Sequence, residues 1–341
     1  VKTLIMDEFS QFSSDVGRRI ELVQGAGGNT SVKIGPVLKI KASGAWLADA
    51  LEKPIFVDVD LGSLRAAMRG DFTDETLKSA LQPANGGALR PSIETPLHAL
   101  SPYQIVAHVH SVNTIAFAAR ADARERLAER LDGLDWAFVP YERPGAPLAK
   151  AVREIFRSSA PKILVFGNHG LVVAGDSIGD LRRLLDDVEQ RLSVPFVSGA
   201  RSKAREQPHA PEGYRWVEDR AASFLPFDKL RLALAMRGSL YPDHVVFLGP
   251  ALAIAADTGA LLGMKPAPKI AAVPGVGLLA RKDLTPGALA MLDCLGLVLA
   301  RIDPAAPINY LTPEDERALL GWDAETYRQS LDQRGASASA T

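Results

Sequence analysis

Apolar positions follow two alternating spacings along the first two hundred residues. Residues 6–21, 120–134, 146–157 and 177–193 carry them at helical intervals and predict helices. Arg and Glu interleave at helical spacing over 120–134, so that helix is charged and amphipathic. The helix over 177–193 opens with Ser177 as a cap and Asp180 at the capping-box offset. Residues 73–81 read as a shorter helix capped by Thr73, with Glu75 in its first turn. Between these lie β-rich runs at 31–40, 104–112, 162–166 and 171–174. Gly35-Pro36 folds the first run back on itself, and Gly167-Asn168-His169-Gly170 joins the last two. Strands mixed with covering helices predict a layered α/β domain.

The pattern changes after residue 200. Residues 198–215, SGARSKAREQPHAPEGYR, are basic and rich in Pro, Gly and polar side chains, as linkers are. Beyond them, 225–236 reads as helix and 244–248, 251–256 and 269–273 as strands. Pro274-Gly275-Val276-Gly277 turns into a further strand at 278–280, then 286–302 is a buried helix and 311–331 a helical tail. The chain therefore divides into a first domain over 1–200, a linker over 201–215, a smaller α/β domain over 216–334 and a disordered tail over 335–341, which ends in GASASAT.

Composition narrows the function. Hydrophobic residues make up 47% of the 341 and charged residues 23%, as in ordinary globular proteins. The formal net charge of -1 gives no overall field for nucleic acid or an anionic membrane, and neither partner is expected. The most apolar late stretch, 288–302, is interrupted by Asp293 and Arg301 and is too short to span a bilayer. The first twenty residues carry acids early and lack a long apolar run, so no secretory leader is expected. One cysteine, Cys294, excludes a disulfide framework within the chain and a Cys-rich zinc site, and it fits a reducing cytoplasm. Metal chemistry is left to six histidines: His98, His108, His110, His169, His209 and His244.

His108 and His110 sit two apart in the run AHVHS. On a strand they share a face, with Val106 and Val112 on the same side, which suits two ligands of one divalent metal. Two hydrogen-bonded histidines in a half-buried strand fit the same spacing. His169, held on a Gly-flanked turn, projects from a sheet end, either into solvent or as a third ligand. Three histidines with an open fourth position make a catalytic zinc site. Glu94, in RPSIETP, is either a metal ligand or general base, or an acid complementing a helix N-terminus. GAGGNTS, residues 25–31, is either an anion-binding nest of backbone N–H groups or a flexible turn. It runs helix, loop, strand, which is the wrong order for a dinucleotide fingerprint, and no Walker Lys follows.

Together GAGGNTS, KASG, PSIET, AHVHS and FGNHG stand in the order and spacing of the class II aldolase/adducin family, which the chain resembles over roughly residues 5–200. The resemblance implies a three-layer α/β/α first domain, commonly assembled into a homo-oligomer, a tetramer in the family. It implies Zn2+ or another divalent cation on His108, His110 and His169, with Glu94 as catalytic acid/base. It further implies that Gly28, Asn29, Ser31, Ser43, Gly44 and Ser92 surround a substrate phosphate. The reaction implied is aldol cleavage or condensation of a ketose phosphate or related sugar through an enediolate. An epimerase or dehydratase on the same site, or a non-catalytic adducin-like binding module, are the alternatives. A neighbouring-subunit tyrosine serves as second acid in the family; Tyr103 and Tyr141 are candidates without a secure match. The phosphate motif departs from the usual paired serines, reading Ser92-Ile93-Glu94. LYPDHVVFLGP and AAVPGVGLLARKD resemble the segment that follows the aldolase part of bifunctional rhamnulose-phosphate aldolase/dehydrogenase proteins. No strand-led GxxxGxG and no TyrxxxLys pair is present, so no nicotinamide is expected. His98, His209 and His244 are left as structural residues, His244 at a strand edge.

Overall fold

The computed structural model describes residues 2–84, 86–87, 89–195 and 206–338. These group into two compact units, one formed by 1–114 with 123–193 and the other by 115–122 with 194–341.

The first unit is built on a seven-stranded sheet. Its strands are β1 (Asn29–Ile34), β2 (Val37–Lys41), β3 (Phe56–Asp60), β4 (Ile105–Val109), β5 (Trp136–Val139), β6 (Ile163–Phe166) and β7 (Gly170–Gly175). They lie in the order β3-β2-β1-β4-β7-β6-β5, antiparallel except for β5 on β6. The helices Leu61–Ala67, Thr95–Leu100 and Ala146–Ser158 cover one face through Leu64, Leu97, Ala99, Leu148 and Val152, which pack on Leu38, Ile40, Val106 and Val172 of the strands. On the other face the helix Lys2–Gly17 is tied to β1, where the Ser13 and Thr30 hydroxyls are hydrogen-bonded at 2.7 Å, and the helix Ile178–Leu192 packs on β7. Alternation along the strands explains the two cores, since neighbouring residues leave opposite faces. This is a three-layer α/β/α arrangement.

The expected helix starts hold where caps define them, although the helix expected over 73–81 ends at Leu77. Thr73 accepts from the Thr76 backbone N–H, and Ser177 accepts from that of Asp180. One expectation is corrected at the site. The strand carrying His108 ends at Val109, and Val112 opens the helix Val112–Ala118, so Val112 does not share a strand face with Val106.

The second unit holds a four-stranded sheet in the order β8-β11-β10-β9, formed by β8 (Tyr214–Val217), β9 (Ala253–Ile254), β10 (Ile270–Val273) and β11 (Gly277–Arg281). The buried helix Pro286–Arg301 packs on the 3-10 turn Ala221–Phe227. It is a smaller α/β unit. Here residues 244–248 are not a strand. They belong to the helix Pro242–Leu248, with Pro242 in its first turn. A wholly buried apolar run has no period that separates the two states, and the proline settles it. Strand β8 begins inside the stretch expected to be linker, of which 201–205 lie outside the described residues. The last helix, Asp323–Ala338, continues into the expected tail, and residues 339–341 lie outside the described residues. Among the described residues no helix is long and apolar enough to cross a membrane.

Gly170 lets β7 close on β4 at the site: a Cβ there would sit 2.5 Å from the Val109 carbonyl oxygen and 3.2 Å from His108 Cε1. Gly170→Ala is therefore expected to cost about 1–3 kcal/mol through overpacking. Gly179→Ala, whose Cβ meets only the end of the Arg183 side chain at 3.6 Å, is expected to cost nothing. Thermal unfolding of both variants checks this, and equal melting points would contradict it.

Candidate metal centre

Each functional side chain is placed by a different local device. The antiparallel register sets His108 of β4 opposite Asn29 of β1 on one side and Val172 of β7 on the other. Residues paired across a ladder share a face, so His108 and Asn29 emerge together. His110 follows two residues on, just past the strand end. Gln24 Nε2 donates to its carbonyl oxygen at 3.4 Å, and the Val112 N–H donates to the Glu21 carbonyl at 2.8 Å, which pins this extension to the turn after the first helix. His169 sits in the β6–β7 turn, where Asn168 takes φ 53°, the one positive-φ residue other than glycine among the described residues. Asn tolerates that left-handed conformation. Glu94 immediately precedes the helix Thr95–Leu100 with φ −94° and ψ 5°, in the sparsely populated bridge region.

These devices bring three imidazoles together out of solvent. The ring centroids of His108, His110 and His169 are separated by 5.0, 4.9 and 5.2 Å, a nearly equilateral triangle. One ligand nitrogen from each lies within 4.8 Å of the other two. The Phe166 ring, 5.8 Å from His108 and 5.9 Å from His169 between centroids, forms an apolar wall.

The donor chemistry fits a divalent cation. His108 Nδ1 lies 3.1 Å from the Leu171 carbonyl oxygen, which only accepts, so Nδ1 carries the proton and Nε2 presents its lone pair. That nitrogen is 3.2 Å from His110 Nε2. A tetrahedral ion with nitrogen ligands at ~2.05 Å separates two of them by about 3.3 Å. The His108–His110 separation thus already matches a shared ion, and His169 offers a third nitrogen within 4.8 Å of both.

Glu94 completes the cluster. Its Oε2 lies 3.4 Å from His108 Nε2 and its Oε1 3.5 Å from His169 Nε2. Burial pushes the carboxyl up, but positive charge placed at His108, His169 and His110, as protons or as the cation they would share, and the Asn29 hydrogen bond outweigh it and leave the group at about 2. It is therefore a buried carboxylate. Asn29 Nδ2 donates to Glu94 Oε2 at 2.7 Å and to Ser92 Oγ at 3.1 Å. Oε1 has no hydrogen bond.

The remaining predicted residues fall into two groups. Ser43, Gly44 and Ser92 lie close together, because the strand end carrying Ala42 pairs with Pro91 and the Ser43 N–H donates to the Arg90 carbonyl. Gly28, at φ 58°, lets the Gly-rich loop run against β4: a Cβ there would sit 2.8 Å from the His108 carbonyl oxygen. Lys41 Nζ donates to the carbonyls of Ala26 and Ala45, tying that loop to the Ser43-Gly44 turn. Ser31 is different. It is fully buried, and its hydroxyl is bonded to His98 Nδ1 at 2.7 Å. Sequence reasoning set His98 aside; its four-residue spacing from Glu94 was the available signal. His209 is exposed and His244 is buried in the second unit, remote in sequence from the cluster.

The first unit has relatives among known proteins. The chain is 30% identical over 185 residues to the uncharacterized oxidoreductase YuxG of Bacillus subtilis, a match that spans 50% of this chain and 27% of that protein. Among solved structures, the N-terminal class II aldolase domain of a conserved Thermoplasma acidophilum protein is 29% identical, with a TM-score of 0.49 over 55% of this chain and 91% of its own. L-fuculose-1-phosphate aldolase from Thermus thermophilus is 17% identical, with a TM-score of 0.38 over 56% of this chain and 93% of its own. The family model described as "Class II Aldolase and Adducin N-terminal domain" matches residues 11–194, more than half of the chain, and the chain belongs to that family.

Proposed function

We propose that the first unit is a metal-dependent lyase that makes or breaks the C3–C4 bond of a ketose phosphate or a related sugar. The observation that carries this reading is a solvent-shielded carboxylate facing two of three clustered imidazoles. A purely structural cluster would place an apolar side chain there, since an ionised group costs free energy to bury. Bound at His108, His110 and His169, a divalent cation, Zn2+ by preference, supplies Lewis-acid stabilisation to negative charge on a substrate oxygen.

The chain's own residues do the rest. Glu94 Oε2 is fixed by Asn29, so Oε1 is the oxygen available to take a proton from substrate carbon and return it. The Phe166 wall and the burial of the cluster exclude water from that proton. Gly28, Ser43, Gly44 and Ser92 offer the backbone and side-chain donors that a phosphate needs, whereas Asn29, whose two amide hydrogens go to Glu94 and Ser92, is reassigned to orienting the carboxylate. Ser31, engaged with His98, is reassigned from substrate to support.

Metal loading comes first as a test. His108→Ala and His110→Ala are each expected to lower bound Zn2+ from about one equivalent per chain to near zero, read by elemental analysis of the reconstituted protein. Undiminished loading would contradict the ligand assignment.

Glu94→Gln tests the chemistry. It is expected to keep its metal and lose on the order of 10²–10⁴-fold in kcat for cleavage of a panel of ketose phosphates. Product analysis decides the reaction. Triose phosphate plus aldehyde supports the lyase, whereas a rearranged sugar of unchanged carbon number replaces it with an epimerase.

A further inference from the structure

Glu94 is anchored from beside it as well as from its own turn. Asn29, Ser31 and Lys33 alternate along β1 and so leave the sheet on one face. Each reaches a different turn of the segment that begins at Glu94. Asn29 Nδ2 donates to Glu94 Oε2 at 2.7 Å, Ser31 Oγ and His98 Nδ1 are hydrogen-bonded at 2.7 Å, and Lys33 Nζ donates to the Ser101 carbonyl at 2.7 Å and to that of Tyr103. Glu94 caps the start of the helix Thr95–Leu100, His98 stands one turn on, and Ser101 follows its last residue. One face of the strand thus holds this short helix at its start, along its length and just past its end.

The middle rung is the most sheltered. Ser31 and His98 are both 0% exposed, and His98 Nε2 is buried without a hydrogen bond. Burial pushes the His98 imidazole down to about 3, so it is neutral. An apolar side chain would fill this place without leaving a buried nitrogen unsatisfied. The bond to Ser31 is the polar contact the histidine makes there.

We infer that Ser31 and His98 are a positioning pair for Glu94. The bond between them fixes how far β1, which carries Asn29, stands from the helix that Glu94 immediately precedes. Glu94 thereby meets Asn29, His108 and His169 together. This inference rests on the proposed role of Glu94.

The test uses the Co2+-loaded full chain and dihydroxyacetone phosphate in D2O. Exchange of the substrate's hydroxymethyl proton, followed by NMR, reads the proton transfer assigned to Glu94. His98→Leu keeps bulk and removes the bond, whereas His98→Asn places an amide near the position of Nδ1. His98→Leu and Ser31→Ala are each expected to lower kcat for exchange on the order of 10-fold or more, with KM and Co2+ content unchanged. The double variant is expected to be no slower than either single one, because both remove one link. His98→Asn is expected to recover most of the rate, which a merely space-filling role would not produce. Exchange by His98→Leu indistinguishable from wild type, or His98→Asn as slow as His98→Leu, would overturn the inference. If the wild type exchanges no proton, the catalytic reading of Glu94 fails separately, and the Co2+ absorption spectrum decides the pairing. Glu94→Gln and His98→Leu should then shift that spectrum alike while His98→Asn leaves it in place; a spectrum insensitive to His98 overturns the pairing.

Discussion

Three imidazoles and a carboxylate share one water-poor space, and that crowding is the constraint to which the first unit is built. Nitrogen lone pairs 3.2 Å apart repel unless a proton or a cation lies between them. A carboxylate at the same point adds the opposite charge. The cluster persists because the surrounding backbone over-determines it. The Leu171 carbonyl selects the His108 tautomer, Gln24 and Glu21 hold the chain beyond β4, and Asn168 supplies the left-handed turn that aims His169. Gly28 and Gly170 supply the missing Cβ atoms that allow both neighbouring segments to approach β4.

On the proposed reading, the same packing lets a chain of net charge -1 receive a phosphorylated substrate. No long-range field draws an anion in. The proposed attraction is local, from backbone and hydroxyl donors at the Gly-rich loop and the Ser43-Gly44 turn and from the cation that the histidines would hold. Lys41 spends its charge on two carbonyls that tie these loops together rather than on solvent. It acts as a brace.

What was legible in the sequence is what depends on short-range spacing. The His-x-His pair shows because a strand repeats every two residues, and His169 shows because glycine flanks it. Glu94 stands out as an acid beside a proline-stiffened turn, but local sequence does not reveal that Asn29 and two imidazoles lie against it. The Ser31–His98 bond is hidden for the same reason: the partners lie 67 residues apart, and no local pattern encodes that meeting. The helix Pro242–Leu248 read as a strand because a fully apolar run lacks a period. Strand β8 was absorbed into a polar linker because it is only four residues long and carries an exposed Arg215.

The central claim is that His108, His110 and His169 together form one metal centre. The most direct measurement is the X-ray absorption spectrum of the Zn2+-loaded protein. A shared centre gives three imidazole scatterers with Zn–N near ~2.0–2.1 Å. A first shell without imidazole, or zinc distributed over sites that survive removal of all three histidines, would contradict it.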